Sequence, residues 1–165
     1  MQASQKRNYD KFCSMLFGNL TREGQHLRAF PRERFSSKVS LTPAMVAAFA
    51  QAAGDTNPVH HDSEFAAGTR YGKLIASGTH TTALLLGLTA SHYSTQSVMV
   101  GLEFWVRFRH PIYADETIRL EWLVIKVTPN PKLNGDIVEL RGRIQNQNGV
   151  TALGAKGRVL VTDKL

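Results

Sequence analysis

The sequence predicts an α+β fold in which an antiparallel sheet wraps around one long, buried helix. The first half of the chain holds one strand segment and two or three helical segments. The second half holds four consecutive segments that alternate in polarity or are rich in β-branched residues. This order is typical of an α+β domain. A chain of 165 residues and 18.3 kDa fits a single domain.

The composition is that of an ordinary globular chain, with 42% hydrophobic and 20% charged residues. Its longest apolar run, 81–90, is shorter than the roughly 18 residues of a membrane span, so we expect no membrane partner. A single cysteine, Cys13, excludes an intrachain disulfide and is compatible with a reducing compartment. Because the N-terminus has no apolar secretory stretch, we predict a cytoplasmic protein, with the mitochondrial matrix as the alternative.

The net charge of +7 raises the question of an anionic partner. The charges are scattered and form no block of five basic residues, which favours an ordinary solvated surface. Arg107 and Arg109, for example, alternate along one predicted strand. The alternative interpretation is attraction of a polyanionic ligand, such as a phosphorylated thioester carrier. Neither a stacking-aromatic motif nor zinc-ligand spacing is present, so we expect no nucleic-acid partner.

The N-terminal residues differ from the rest in their weak periodicity. Four apolar residues are spaced as on one face of a short amphipathic helix: Tyr9, Phe12, Leu16 and Phe17. Gly18 and Gly24 interrupt the pattern. We therefore predict a partly helical extension over residues 1–30 and a single domain over residues 31–165.

The domain begins with a strand and two helical segments. Residues 32–40 alternate in polarity and predict a strand. Thr42 and Pro43 are the N-cap and first residue of a helix that ends at Gly54. A single helical turn is predicted over 63–67.

The longest helical segment, 78–93, is apolar on nearly every side, which is typical of a buried helix. Four strands follow it, at 97–109, 116–127, 136–145 and 152–161. Turn signals separate these strands at His110-Pro111, Pro129-Asn130-Pro131, Asn134-Gly135 and Asn148-Gly149.

The segment Gly54–His60 carries the chemistry of the chain. It places the carboxylate of Asp55 five residues before the imidazole of His60, in a stretch rich in turn residues. Proline restricts the backbone of Asn57 and Pro58, so the segment is rigid. One interpretation is a structural turn with a hydrogen-bonded histidine. The other is an acid/base pair held for proton transfer.

A helix start follows shortly after this turn, at Ser77-Gly78. The first turn of a helix has backbone N–H groups without acceptors and the positive end of the helix dipole. Such a terminus can stabilise a developing oxyanion. Its closeness to the Asp55 and His60 pair favours the functional interpretation.

The run Phe49–His60, continued through Phe65-Ala66 to Ile75–Gly78, resembles the hydratase-2 signature of the MaoC-like family. These proteins are (R)-specific enoyl-CoA hydratases with a hotdog fold. The resemblance spans about residues 42–93, and the later strands fit the fold without being diagnostic of it.

The resemblance implies a mechanism. Asp55 and His60 would activate a water molecule that adds across the 2,3-double bond of an enoyl thioester, giving an (R)-3-hydroxyacyl product. The Gly78 N–H would bind the thioester oxygen. The same match implies three substrate-binding positions: Asn57, which would also hold the loop, Ser77 and Thr79.

The resemblance further implies an acyl-CoA or acyl-carrier-protein thioester as substrate and a homodimer or higher homo-oligomer. No cofactor is expected beyond the coenzyme A of the substrate. His60, His61 and Asp62 are consecutive and point in different directions, so we predict no metal site.

Two departures from the family leave the substrate open. Ser77 stands where many members have histidine, and Leu86 stands where some hydratases carry a serine. The alternatives are a non-catalytic hotdog protein that binds acyl thioesters or regulates a partner, and a hotdog thioesterase.

We predict structural roles for two further histidines and for both tryptophans. His80 and His92 are predicted to be hydrogen-bonded core or helix-end residues. Trp105 and Trp122 are predicted to pack within the sheet.

Overall fold

A computed structural model describes residues 29–95 and 97–163. Its centre is a five-stranded antiparallel sheet of order β1-β3-β4-β5-β2. The strands are β1 (Arg34–Ser40), β2 (Val98–Phe108), β3 (Thr117–Asn130), β4 (Gly135–Gln145) and β5 (Thr151–Thr162). The helices are α1 (Pro43–Ala52), α2 (Ser63–Ala67) and α3 (Gly78–Tyr93), and 3₁₀ turns cover Pro58–His60 and Pro131–Leu133. The predicted extension, apart from its last two residues, lies outside the described residues.

Helix α1 begins and ends as the sequence predicts. The Thr42 hydroxyl accepts a hydrogen bond from the Met45 N–H at 3.2 Å, and proline occupies the first helical position. The chain leaves the helix at Gly54, whose φ of +71° is accessible to glycine at little cost. The Asp55 N–H then returns to the Ala50 carbonyl at 2.8 Å. The end of the helix therefore fixes the start of the turn that carries Asp55 and His60.

Helix α3 lies against the inner face of the sheet, which confirms the predicted α+β class. Its buried residues follow one side: His80, Thr81, Leu85, Thr89 and Tyr93. The small residues of the opposite side, Thr79, Ala83 and Gly87, are exposed. Burial in a single chain is therefore one-sided, although the sequence is apolar nearly all round.

Trp122 anchors the helix to the sheet. Its side chain is fully buried, and its indole N–H donates to the Leu85 carbonyl at 2.8 Å. A Cβ on Gly142, which pairs with Trp122 across β3 and β4, would lie 2.5 Å from the indole ring. The glycine therefore leaves the space that the ring fills.

Strand β3 runs further than the turn signal at Pro129-Asn130-Pro131 predicts. Pro129 pairs with Asp136 of β4, and the reversal occurs over Pro131–Leu133. β1 pairs with β3 only as far as Leu123, so the end of β3 has no strand on that side. Proline is tolerated there because its missing N–H removes no ladder hydrogen bond.

Candidate active site

The Asp55 carboxylate takes part in the predicted turn through one oxygen and lies near His60 with the other. Oδ1 accepts a hydrogen bond from the Asn57 N–H at 3.1 Å. Oδ2 lies 3.6 Å from His60 Nε2. Asn57 in turn caps the following 3₁₀ turn by accepting from the Val59 N–H at 3.3 Å. Asn57 therefore acts on the loop itself, and the structural turn is what orients the pair.

His60 is held by a backbone carbonyl. Its residue is only 7% exposed, and Nδ1 lies 2.8 Å from the Ile75 carbonyl oxygen. Because a carbonyl only accepts, Nδ1 carries the hydrogen, and Nε2 of the neutral ring is left as an acceptor. The Ile75 N–H donates to the Val59 carbonyl at 3.4 Å, which ties the two segments together.

The 3.6 Å between Asp55 Oδ2 and His60 Nε2 is too long for a direct hydrogen bond. Both atoms accept, so neither satisfies the other. They are close enough for one water molecule to donate a hydrogen to each. The side chain of Asp55 is 30% exposed, so solvent can reach the pair.

The next two polar side chains along the chain, His61 and Asp62, are hydrogen-bonded to backbone groups. His61 Nε2 donates to the Asp55 carbonyl at 2.6 Å, whereas the Asp62 carboxylate accepts from Glu64 and Phe65 as the N-cap of α2. Among residues 29–95 and 97–163, no group of three or more His, Cys, Asp or Glu residues is arranged to hold a metal ion.

The start of α3 is built by Ser77. This residue is 1% exposed, and its hydroxyl accepts from the His80 N–H at 3.2 Å as the N-cap. The same hydroxyl lies 2.9 Å from the Thr79 hydroxyl. Gly78 and Thr79 remain the first-turn amides that have no acceptor within the helix. The side chain of Ser77 is thus committed to the helix end that presents the Gly78 N–H.

Phe108, at the end of β2, lies directly against Gly78. A Cβ on Gly78 would stand 2.8 Å from the Phe108 ring. The ring is nevertheless 58% exposed, since it lies at an open surface. Glycine at position 78 therefore permits the close approach of the Phe108 ring, in addition to being the first residue of the helix.

A cleft of about 710 Å³ opens at this point, and both His60 and Gly78 line it. Its wall also includes side chains that the sequence did not single out: Arg70, Tyr71, Phe108, His110 and Tyr113. None of the described side chains that line it is a carboxylate, while Arg70 and Arg109 contribute positive charge. Segment 74–76 and segment 112–114 pair by backbone hydrogen bonds, a long-range contact that no local pattern predicts.

The predictions for the two remaining helix histidines differ in outcome. His92 Nε2 donates to the Glu33 carboxylate at 2.8 Å, and its ring stacks on Phe35, as expected of a helix-end residue. His80 is in the core, stacked on Phe49 with ring centroids 4.4 Å apart, but its Nδ1 has no hydrogen-bond partner among the described residues. Burial lowers the pKa of His80.

The two tryptophans also differ. Trp122 packs within the sheet as predicted, but Trp105 is 53% exposed. The prediction of sheet packing is therefore wrong for Trp105. Its position on β2 points outward, and a surface strand has no second layer to cover it.

The comparisons with known proteins agree with this fold. Residues 31–135 match the family described as MaoC like domain, and the chain belongs to this family. A 3-hydroxybutyryl-CoA dehydratase of Methylorubrum extorquens is 27% identical over 92 residues. That match covers 56% of this chain and 58% of the relative, so the chain spans less than two thirds of its length.

Solved structures share this fold over most of the chain. An (R)-hydratase from A. caviae involved in PHA biosynthesis matches with a TM-score of 0.71 and 24% identity, over 83% of this chain and 97% of that chain. A monoamine oxidase regulatory protein from Archaeoglobus fulgidus matches with a TM-score of 0.69 and 24% identity, over 81% and 90%. At this identity the likeness establishes the fold, and the hotdog prediction is confirmed. In the described residues, no helix combines the length and apolar character needed to span a membrane.

Proposed function

We propose that this protein is a hydratase or dehydratase that adds water across the 2,3-double bond of an enoyl thioester to give an (R)-3-hydroxyacyl thioester. The observation that carries the proposal is the convergence of two acceptors, Asp55 Oδ2 and His60 Nε2, at 3.6 Å beside a cleft that Gly78 also lines. Family membership and the names of the relatives support the same class of chemistry.

The proposed reaction begins with a water molecule that donates its hydrogens to Asp55 and His60. Its oxygen attacks C3 while Asp55 takes one proton, so the electrons of the double bond move toward the thioester carbonyl. The Gly78 N–H donates to the oxygen on which the negative charge develops. The proton that Asp55 took is then returned to C2 with the help of His60, which restores the carboxylate and completes the addition of one water molecule. The dehydratase direction uses the same groups in reverse.

Substrate binding is proposed in two parts. The thioester lies at the start of α3, where Thr79 and the helix end capped by Ser77 are the nearest predicted contacts. The cationic side chains of Arg70 and Arg109 at the cleft suit the phosphate of a phosphopantetheine arm, which coenzyme A and acyl carrier proteins share. No separate cofactor or metal is required by this reaction.

The edge of the sheet supports the proposed homodimer. In the part of the chain that the structure describes, β2 pairs only with β5, so its other edge is open. Leu102 and Phe108 on this strand are 48% and 58% exposed. An open edge with exposed apolar residues favours strand pairing with a second copy. Light scattering should give twice the 18.3 kDa chain mass, and a monomer at assay concentration would contradict the proposal.

Hydration of crotonyl-CoA tests the proposed function. We expect loss of the enoyl absorbance, and we expect the product to be oxidised only by an (R)-specific 3-hydroxyacyl dehydrogenase. Replacement of Asp55 or His60 by alanine should abolish most of this turnover. Wild-type protein that binds acyl thioesters without converting them would instead support a binding or regulatory subunit, and release of free thiol would support a thioesterase.

A further inference from the structure

The outer face of the sheet, away from α3, carries more cations than carboxylates. Strand alternation buries Leu140, Ala155 and Gly157 and turns their neighbours outward. The outward cations of β2, β4 and β5 form what we call the basic face: Arg107, Arg141, Arg143, Lys156 and Arg158. The same three strands contribute two outward carboxylates, Glu103 and Glu139. Charges that are scattered in the sequence are therefore neighbours across the strands.

Most of the basic face is not neutralised. Arg158 lies 3.4 Å from Glu103, and Arg143 lies 3.0 Å from Glu121 of β3. Within the described residues, the other three cations, Arg107, Arg141 and Lys156, have no carboxylate within 4.0 Å. A cluster of this kind creates a positive potential that attracts an anionic surface.

Charge excludes two occupants of the basic face. The first 28 residues carry five cations and two carboxylates, namely Lys6, Arg7, Lys11, Arg22 and Arg28 against Asp10 and Glu23. This segment is therefore itself positive. A second copy of the chain that docked through the same face would bring an identical set of cations and be repelled. Charge complementarity therefore favours a separate, acidic molecule as the occupant.

The apolar groups of the surface favour a protein as that molecule. Trp105 and Ile125 are 53% and 48% exposed and line a depression of about 310 Å³ beside Arg141 and Lys156. Exposed tryptophan among arginines is typical of the centre of protein interfaces.

Arg109 joins the basic face to the cleft. It lines the cleft, and its Nε lies 3.7 Å from the position that a Cβ on Gly154 would take. Gly154 is paired with Arg107 on one side and Arg143 on the other. The basic face therefore adjoins the cleft at Arg109.

We propose that the basic face docks an acidic carrier protein, and that the acyl thioester enters the cleft on the phosphopantetheine arm of that protein rather than as a free coenzyme A ester. This inference rests on the proposed function, since it names the carrier of the substrate at the same site. The docking contacts lie outside the reacting groups and raise the rate of productive encounter.

The test compares one acyl group on two carriers. The probes are crotonyl-CoA and an acidic acyl carrier protein loaded with crotonyl-phosphopantetheine. We expect kcat/KM for the protein-bound substrate to exceed that for crotonyl-CoA by about tenfold at low salt and to fall steeply as salt is added. The double variant R141E/K156E should lose about tenfold in kcat/KM on the protein-bound substrate and less than about twofold on crotonyl-CoA.

A charge reversal elsewhere is the matched control. Lys132 is exposed in the 3₁₀ turn between β3 and β4, outside the basic face, and K132E should leave both rates near wild type. Equal losses on the two substrates in R141E/K156E, or the same loss in K132E, would overturn the docking proposal. So would turnover of crotonyl-CoA with no preference for the protein-bound form.

Binding measurements keep the two proposals separate. If neither thioester is hydrated, the proposed function fails, while fluorescence anisotropy of the labelled carrier protein still reports docking. Binding that R141E/K156E weakens and K132E does not supports the basic face. Displacement of the carrier by a short DNA duplex or by phosphatidylglycerol vesicles at physiological salt would assign the face to those ligands and overturn the proposal.

Discussion

Two histidine–carboxylate pairs lie near opposite ends of helix α3, and they differ in how much of their bonding capacity is left. Asp55 and His60, beside the helix start, are 3.6 Å apart, and His60 lines a cleft. Glu33 and His92, at the helix end, are 2.8 Å apart, and the imidazole is stacked on Phe35 at 3.9 Å. In the first pair two acceptors lie side by side without satisfying each other, whereas the second pair is directly hydrogen-bonded. A difference of less than 1 Å thus separates the candidate catalytic pair from a structural one.

The largest expected effect breaks the first pair. D55N and H60A should each lower the rate of crotonyl-CoA hydration by about 10²- to 10⁴-fold, because the water loses a general base or its second acceptor. H92A should retain a rate close to wild type, since the Glu33–His92 pair lies at the other end of helix α3 from the candidate site. Comparable losses in H60A and H92A, measured on folded protein, would remove the distinction between the pairs.

A smaller effect is expected at the oxyanion donor. G78A places a methyl group 2.8 Å from the Phe108 ring, so either the ring or the helix start has to shift. We expect kcat to fall about 10- to 100-fold through the displaced N–H.

Gly87, in the middle of the same helix, provides the control for this substitution. A Cβ there meets no atom within 4 Å. G87A should keep the wild-type rate and raise the free energy of unfolding by about 0.5–1 kcal/mol through helix propensity. A wild-type kcat in G78A would argue against an oxyanion donor at this helix start.

Loss of the Glu33–His92 pair should lower the stability of the protein rather than its rate of hydration. Glu33 accepts from the Phe30 N–H at 3.3 Å and is bonded to His92, and both contacts are lost in E33A. We expect the free energy of unfolding to fall by about 1–2 kcal/mol in urea denaturation. The hydration rate of the folded variant should be unchanged, and a rate loss like that of D55N would contradict the comparison.

The smallest expected effect is the pH dependence contributed by His80. Burial lowers its pKa below the ordinary value of 6.5, so the unfolded chain binds a proton that the folded chain resists. Stability from this group is complete above pH 6.5 and is lost as the pH falls below it. H80Q should therefore reduce the slope of unfolding free energy between pH 7 and pH 5, by at most about 1.4 kcal/mol per pH unit. Identical slopes in the two proteins would show that His80 does not titrate differently on folding.

Local residue patterns predicted the helices and strands of this protein and the Asp55 and His60 pair of its candidate site. Thr42, Pro43 and Gly54 determine where α1 begins and ends, because capping and backbone preferences act over a few residues. Asp55 and His60 could be singled out for the same reason, since a rigid turn of six residues holds both. Strand alternation likewise predicted the antiparallel sheet.

Tertiary structure decided what those residues face. The Ile75 carbonyl that leaves His60 Nε2 as an acceptor comes from fifteen residues away, and no side-chain pattern reveals a backbone acceptor. The exposure of Trp105 and the clustering of the basic face depend on strand register, which joins residues from separate strands. The sequence by itself determined the secondary structure and the acid/base turn, because those depend on neighbours along the chain. Three features depend on long-range contacts: which nitrogen of His60 carries the hydrogen, the shape of the cleft, and the clustering of cations on the basic face. Only the folded sheet and helix could therefore decide them.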